Sequence, residues 1–389
     1  MSVLPLSFVS QPEVPAPATL KRLATTFASR AAAHDRDASF AFENFRDLES
    51  AGVLRLTVAS EFGGAGGGLS DASQVLSAIA WGDASTGLVL AMHYIQHGLL
   101  ARKRHWPSPL RALVARSAIS EGGLINQVRV EPELGSPTRG GEAGTIAERV
   151  PQGWRINGHK RYATGSEGLA WFVVWARTPD NAQVGMWLVP GNALGVRIEK
   201  TWDHLGMRGS SSHDVIFRDV IVPAEYAVDL KAPADAQKSD LHHSAWFTCA
   251  LNAVYVGVAE AARDFLVSYV QERAPTSLGA PLSTLPRIRE QLGRMDILVR
   301  SARRLQESIT AEYDAAPGSV SIAELGAVKQ VISDQTIEAV KIAIETIGNP
   351  GLSRSHPLER HFRDVQCSRI HTPQLDASAL AAARERLDA

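Results

Sequence analysis

Side chains able to carry proton transfer, metal binding or nucleophilic attack are thinly spread in this sequence, and several familiar arrangements can be struck out. His242, His243, His356 and His361 show no metal-ligand spacing. His356-Pro-Leu-Glu359-Arg-His361 is not the H-E-x-x-H pair that sets two imidazoles and a base on one helix face; it reads as surface ion pairing. No G-x-S-x-G elbow is present to expose a nucleophilic serine. Cys249 and Cys367 are the only thiols, too few for a disulfide framework and wrongly spaced for a metal. They read as small apolar residues in a reducing compartment. The glycines of Ser60-Glu-Phe-Gly-Gly-Ala-Gly-Gly-Gly68 could cradle phosphate, yet no Lys-Ser/Thr follows and no strand clearly precedes. A sharp turn between helices is the better reading.

Bulk properties exclude other classes. The 40 Lys+Arg nearly cancel the 41 Asp+Glu, leaving a net charge of −1. No cationic field is then available for nucleic acid or anionic lipid. Apolar residues at 45% and charged residues at 21% suit a folded chain, and 389 residues suit two or three packed domains. No run of eighteen apolar residues is present, and Met1 to Leu20 lacks the basic and apolar regions of a signal peptide. The expected location is cytoplasmic.

The period of the apolar residues divides the chain in three. Phe40, Phe45, Leu48, Ala51 and Leu54 recur at helical steps, and Ala72 to Leu100 is a long apolar helical stretch broken where Asp83-Ala-Ser-Thr86 can cap a new start. From about Ile119 the period becomes two. Trp154 to Tyr162 alternates around Asn157-Gly158, which predicts a hairpin turn there. Strand-length apolar runs follow at 171–176, 184–189 and 214–223. From Leu241 the helical period returns: Val254, Val258, Ala261, Phe265 and Tyr269 share one face, and 288–313 and 328–344 form further helices. The expected fold is α+β: an N-terminal all-α domain over 1–118, a small central β-barrel or sandwich domain over 119–235, and a C-terminal four-helix bundle over 236–389.

That order resembles the acyl-CoA dehydrogenase superfamily, and motifs along nearly the whole chain carry the resemblance. Val130-Glu-Pro-Glu-Leu-Gly-Ser136 is similar to the family's "TEPGAGS", and Gly153-Trp-Arg-Ile-Asn-Gly-His-Lys-Arg-Tyr-Ala-Thr164 to "G-x-x-L-N-G-x-K-x-W-I-T". Leu205-Gly-Met-Arg-Gly-Ser-Ser with Val215-Ile-Phe-Arg-Asp-Val-Ile-Val-Pro223 is similar to "LGMRGS…V-x-F-x-D-V-x-V-P". Ile347-Gly-Asn-Pro-Gly351 and Arg360-His-Phe-Arg-Asp364 resemble "GGxG" and "xxRD". The resemblance implies a flavin, FAD in most of the family. It lays Tyr162 against the isoalloxazine, brings the Thr164 hydroxyl to the ring edge, and puts Ser136 near the pyrophosphate. The turn from Gly348 to Gly351 falls near the adenine end of a neighbouring subunit's cofactor, which implies a homo-oligomer, a homotetramer or dimer. Taken alone, Tyr162 would be a cross-strand aromatic and Thr164 a strand former.

The departures bear on the reaction. The family's catalytic Glu in "YEGT" aligns with Thr372 of Ile370-His-Thr-Pro-Gln374, and the alternative Glu of a minority aligns with Phe247. A neutral hydroxyl cannot remove an α-proton at neutral pH. The Arg near CoA becomes Thr248, and the Thr of "TEPGAGS" becomes Val130. Glu260 reads as an ion-paired or solvated helix residue; Asp376 is a reserve base that could swing in from a loop. Flavin monooxygenases of this fold, dibenzothiophene monooxygenase among them, resemble the chain at Arg363 and His371-Thr-Pro373 and carry a further histidine to which His93 is the counterpart. An imidazole titrates near neutrality and can hydrogen-bond activated oxygen or deprotonate a substrate hydroxyl. The alternative for both is a histidine satisfied by packing.

Three functions follow. The first is oxidation of the α,β bond of an acyl thioester with hydride transfer to flavin N5, with electron-transfer flavoprotein as partner. The second is a two-component monooxygenase acting on an aromatic or heteroatom compound with FMN or FAD supplied by a flavin reductase. The third is a non-catalytic flavin-binding scaffold.

Overall fold

The computed structural model describes residues 14–102, 106–134, 141–236 and 240–388. Five helices come first: α1 (Pro17–Asp37), α2 (Phe42–Ser50), α3 (Leu69–Gly82), α4 (Ala84–Arg102) and α5 (Ser108–Ser120). α4 is buried at every position from Ala84 to Leu100, as expected of a helix apolar around its whole circumference. The predicted break before it is present. The Asp83 carboxylate accepts from the Thr86 amide at 3.0 Å and from its hydroxyl at 2.5 Å, supplying acceptors that the helix start lacks.

Among the described residues eight strands make one sheet: β1 (Leu124–Val128), β2 (Ile146–Val150), β3 (Gly153–Ala163), β4 (Leu169–Arg177), β5 (Val184–Pro190), β6 (Val196–Glu199), β7 (His213–Val222) and β8 (Ala227–Lys231). Their order is β6-β7-β3-β2-β4-β5-β8, with β1 parallel to β4. The hairpin predicted at Asn157-Gly158 is not there. β3 runs straight through those residues, and the turn between β2 and β3 is at Pro151-Gln152. Asn157 instead donates its side-chain amide to Asp219 and accepts from the Asp219 amide. Gly158 marks a register shift against β7, where a Cβ would fall 2.3 Å from the Thr145 hydroxyl.

A short helix, α6 (Pro233–Ala236), leads to the C-terminal helices α7 (Leu241–Glu272), α8 (Pro286–Ala315), α9 (Ile322–Ile347), α10 (Leu358–Gln366) and α11 (Leu375–Leu387). α7, α8 and α9 pack on one another, α10 bridges α7 and α9, and α11 lies along α9. α3 and α4 pack on α7 as well, so this helix is the axis shared by both helical regions. α7 is the one described helix long and apolar enough to cross a membrane by length and composition, and 89% of its most apolar window is buried inside the fold.

Lys160, wholly buried on β3, donates to Glu131 at 2.5 Å. Glu131 also accepts from the Gly144 amide at 2.6 Å and from the Thr145 hydroxyl at 2.6 Å. Burial pushes the Lys160 ammonium down to about 8, opposed by the Glu131 charge. Removing one member of such a pair strands the other charge. We therefore expect Lys160→Ala to lower stability by about 3–5 kcal/mol, measured as a fall in denaturation midpoint.

Candidate flavin site

The end of β3 presents the two residues singled out in its motif. Tyr162 has φ 56° and is 45% exposed; the next residue but one, Thr164, is half-buried. A tyrosine in left-handed backbone is uncommon and persists only where its surroundings hold it. Met207 (φ 54°) and Ser211 (φ 47°), on the loop before β7, share the conformation. That loop packs beside the strand end. The Tyr162 ring meets Trp202 and His204 edge-on, with centroids 6.3 and 5.9 Å away, and those two stack on each other at 3.7 Å. The Thr164 hydroxyl bonds that of Ser212 at 3.0 Å, and Ser212 bonds Ser210 at 2.8 Å. The Thr164 carbonyl accepts from the Asn126 side chain on β1.

An isoalloxazine requires an aromatic or apolar face and hydrogen-bonding groups at its rim. An exposed aromatic ring two residues from a half-buried hydroxyl fits that need. Neither Tyr162 nor Thr164 lines the 520 or 410 Å³ cavity.

The loop from Trp202 to His213 joins this edge to the helices. The Met207 carbonyl accepts from Trp202 Nε1 at 2.9 Å, and its amide donates to the Asp364 carboxylate at 2.6 Å. Asp364 is buried on α10, and burial pushes its carboxyl up to about 7 despite that bond. On the other side Gly209 abuts Ser85, and a Cβ at Gly165 would lie 3.0 Å from Val89 of α4. Arg208 donates to the Asp35 carbonyl at the end of α1. All three parts of the chain meet at this loop.

His371 follows α10 by one turn, its amide bonded to the Cys367 carbonyl at 3.2 Å. The half-buried imidazole meets the Tyr255 hydroxyl of α7 through Nδ1 at 2.6 Å. Burial, then the charge of Lys329, holds it down to about 4. Burial raises the Tyr255 phenol well above its ordinary value. With the imidazole neutral and the phenol protonated, the two share one hydrogen bond whose donor depends on the ring tautomer. Sequence reasoning missed Tyr255, which offered only an apolar helix position 116 residues away.

The structure does not join His93 to His371. His93 is wholly buried on α4, donates from Nε2 to the Leu54 carbonyl at 2.8 Å and lies edge-on to His97 at 4.6 Å. Burial pushes it down to about 4, and its Nδ1 has no partner among the described residues. This geometry favours the packing reading. Asp376 is corrected too: it is exposed in the first turn of α11, bonded to the Ala377 amide, and is not a loop residue free to swing. Glu260 is ion-paired, as expected, through two bonds to Arg303. Ser136 lies outside the described residues. Gly348 ends α9 with φ 69°, and Gly351 is packed where a Cβ would stand 3.2 Å from the Ile344 Cα.

Profiles of the acyl-CoA dehydrogenase N-terminal, middle and C-terminal domains match residues 18–106, 129–220 and 249–374. The putative acyl-CoA dehydrogenase YdbM of Bacillus subtilis (strain 168) is 32% identical over 363 residues, spanning 92% of this chain and 93% of the relative. The chain belongs to the acyl-CoA dehydrogenase family. The amino sugar nitrososynthase RubN8 of Streptomyces rubradiris is 27% identical over 355 residues, spanning 89% and 82%. FMN-bound TdsC from Paenibacillus sp. A11-2, a dibenzothiophene monooxygenase, shares the fold with a TM-score of 0.82 at 21% identity, covering 95% and 96% of the two chains. This member of the family is therefore a flavoprotein. The family's cofactor is FAD, and the TdsC structure shows FMN accommodated on the same fold.

Proposed function

We propose that the chain is an oxygen-using flavin monooxygenase of the acyl-CoA dehydrogenase fold, fed reduced flavin by a separate reductase and acting on a heteroatom or aromatic centre. The observation that carries this reading is the pairing of His371 with Tyr255 next to Thr372, the position at which the family's carboxylate base is missing. Phe247, the alternative position, is also uncharged. RubN8, a nitrososynthase by name, supports the reading from the side of the relatives.

Reduced flavin, when bound, supplies the electrons for oxygen activation. Tyr162 and Thr164 hold the ring face and edge. Tyr255 holds the His371 ring through Nδ1, which leaves Nε2 to hydrogen-bond an oxygen atom in the site. The turn at Gly348–Gly351 serves the adenine end of a neighbour's cofactor in a homo-oligomer.

A second reading, dehydrogenation of an acyl thioester, is favoured by the 32% identity to YdbM. Anaerobic titration of the flavin-loaded protein with a panel of acyl-CoA esters separates the two. No bleaching of flavin absorbance is expected with any ester, while reductase-fed reduced flavin and oxygen oxidise an amine or sulfur heterocycle. Bleaching by one acyl-CoA ends the monooxygenase reading.

A further inference from the structure

A cavity of 520 Å³ lies away from the flavin edge, between α1, the end of α3, α7 and the segment from Arg354 to His361. Its volume is in the range of small-molecule sites. Trp81 and Phe265 give it apolar wall.

The charges on its lining are unequal in how they are satisfied. Asp35 and Glu359 both bind Arg363, at 2.6 and 2.8 Å. Asp264 accepts from Trp81 Nε1 at 2.9 Å and from Arg263. All three carboxylates are thus occupied. Arg360 is different. It is 7% exposed, lines the cavity, and makes no hydrogen bond or ion pair with any described residue. Asp364 feels its charge without contacting it, being turned to the Met207 amide. Beside it His361 is 5% exposed, and its Nδ1 has no partner among the described residues. The string around His361 was expected to form ion pairs on the surface; Glu359 is ion-paired, but neither it nor His361 is exposed.

The Arg360 guanidinium stays open to the cavity and has no acceptor among the described residues, so a ligand acceptor can take the place of water there. A deeply set guanidinium without an acceptor, beside an aromatic wall around a ligand-sized space, calls for a single acceptor group on an apolar body. We propose that this cavity is a binding site for a small apolar carboxylic acid, its carboxylate on Arg360 and its body against Trp81 and Phe265. The site is independent of which flavin reaction the chain performs.

Calorimetric titration of the full chain with benzoate tests the assignment, with inorganic phosphate as a second probe. One saturable benzoate site per chain is expected, weakened about tenfold or more in Arg360→Met, since a charge-assisted bond is lost. The same variant should melt no lower than the parent and bind flavin equally well, which separates loss of this site from misfolding and from failure of the flavin reading. Absence of saturable benzoate binding into the millimolar range overturns the proposal, and so does benzoate binding unchanged in Arg360→Met. Phosphate binding more tightly than benzoate overturns the apolar-acid assignment.

Discussion

Alanine at position 371 is expected to lower oxygen-coupled turnover about 100-fold, the lower range for loss of a positioned proton donor or acceptor. The imidazole is held by Tyr255 at 2.6 Å, while the Tyr162 ring rests on Trp202 and His204 and the Thr164 hydroxyl on Ser212, so flavin affinity should change little. Tyr255→Phe should reduce kcat about tenfold with little change in KM, because the ring stays but loses the bond that holds it. Their pH profiles supply a reading that mere structural damage does not. Burial and Lys329 hold His371 down to about 4. The neutral form therefore persists well below the ordinary imidazole range, and the parent rate should stay level from pH 8 to about pH 5. Full activity in His371→Ala, measured as kcat/KM with saturating reduced flavin, removes this residue from the chemistry.

Acidification is expected to destabilise the protein steeply below pH 6.5. His93 and His371 sit at about 4, His361 at about 3 and His97 well below its ordinary value, all chiefly through burial. An imidazole with a depressed folded value adds stability that is fully present above 6.5 and is lost as pH falls towards the folded value, because the unfolded chain takes up the proton first. Asp364 works in the opposite direction. Its carboxyl is pushed up to about 7, so between about 4 and 7 the folded state holds a proton that unfolding releases. These four imidazoles against one carboxyl leave roughly three net protons, about 4 kcal/mol per pH unit between pH 6.5 and 4, and His204 and His213, also lowered by burial, act in the same direction. Melting temperature followed across that window checks the slope. A flat profile means that these histidines are hydrated in solution.

Much of the fold was legible because its signals are local. Period-two runs became β4, β5 and β7, and the Asp83–Thr86 cap divided α3 from α4 as its residue types require. The Asn157-Gly158 dipeptide misled for a physical reason. Its preference for a turn is worth less than the pairing of a straight β3 with both β2 and β7, which leaves Gly158 to admit Thr145 and Asn157 to clasp Asp219. The charged string around His361 was misjudged as surface, because its burial depends on α10 being packed between α7 and α9. Tyr255 could not be found at all from spacing; only the folded chain puts α7 next to His371. The motif around Tyr162 and Thr164 was readable, yet the left-handed tyrosine and its stacked Trp202–His204 neighbours were not.

The loop of Met207 and Arg208 has a bearing on how such proteins can be recombined. Grafting the strands of a relative into this scaffold at the edges of the sheet would carry over Met207 while leaving behind the Asp364 that receives its amide, the Asp35 carbonyl that receives Arg208, and the Ser85 surface against Gly209. A working chimera must therefore inherit these distant contact points together with the sheet, which makes the sheet a poor unit of exchange by itself.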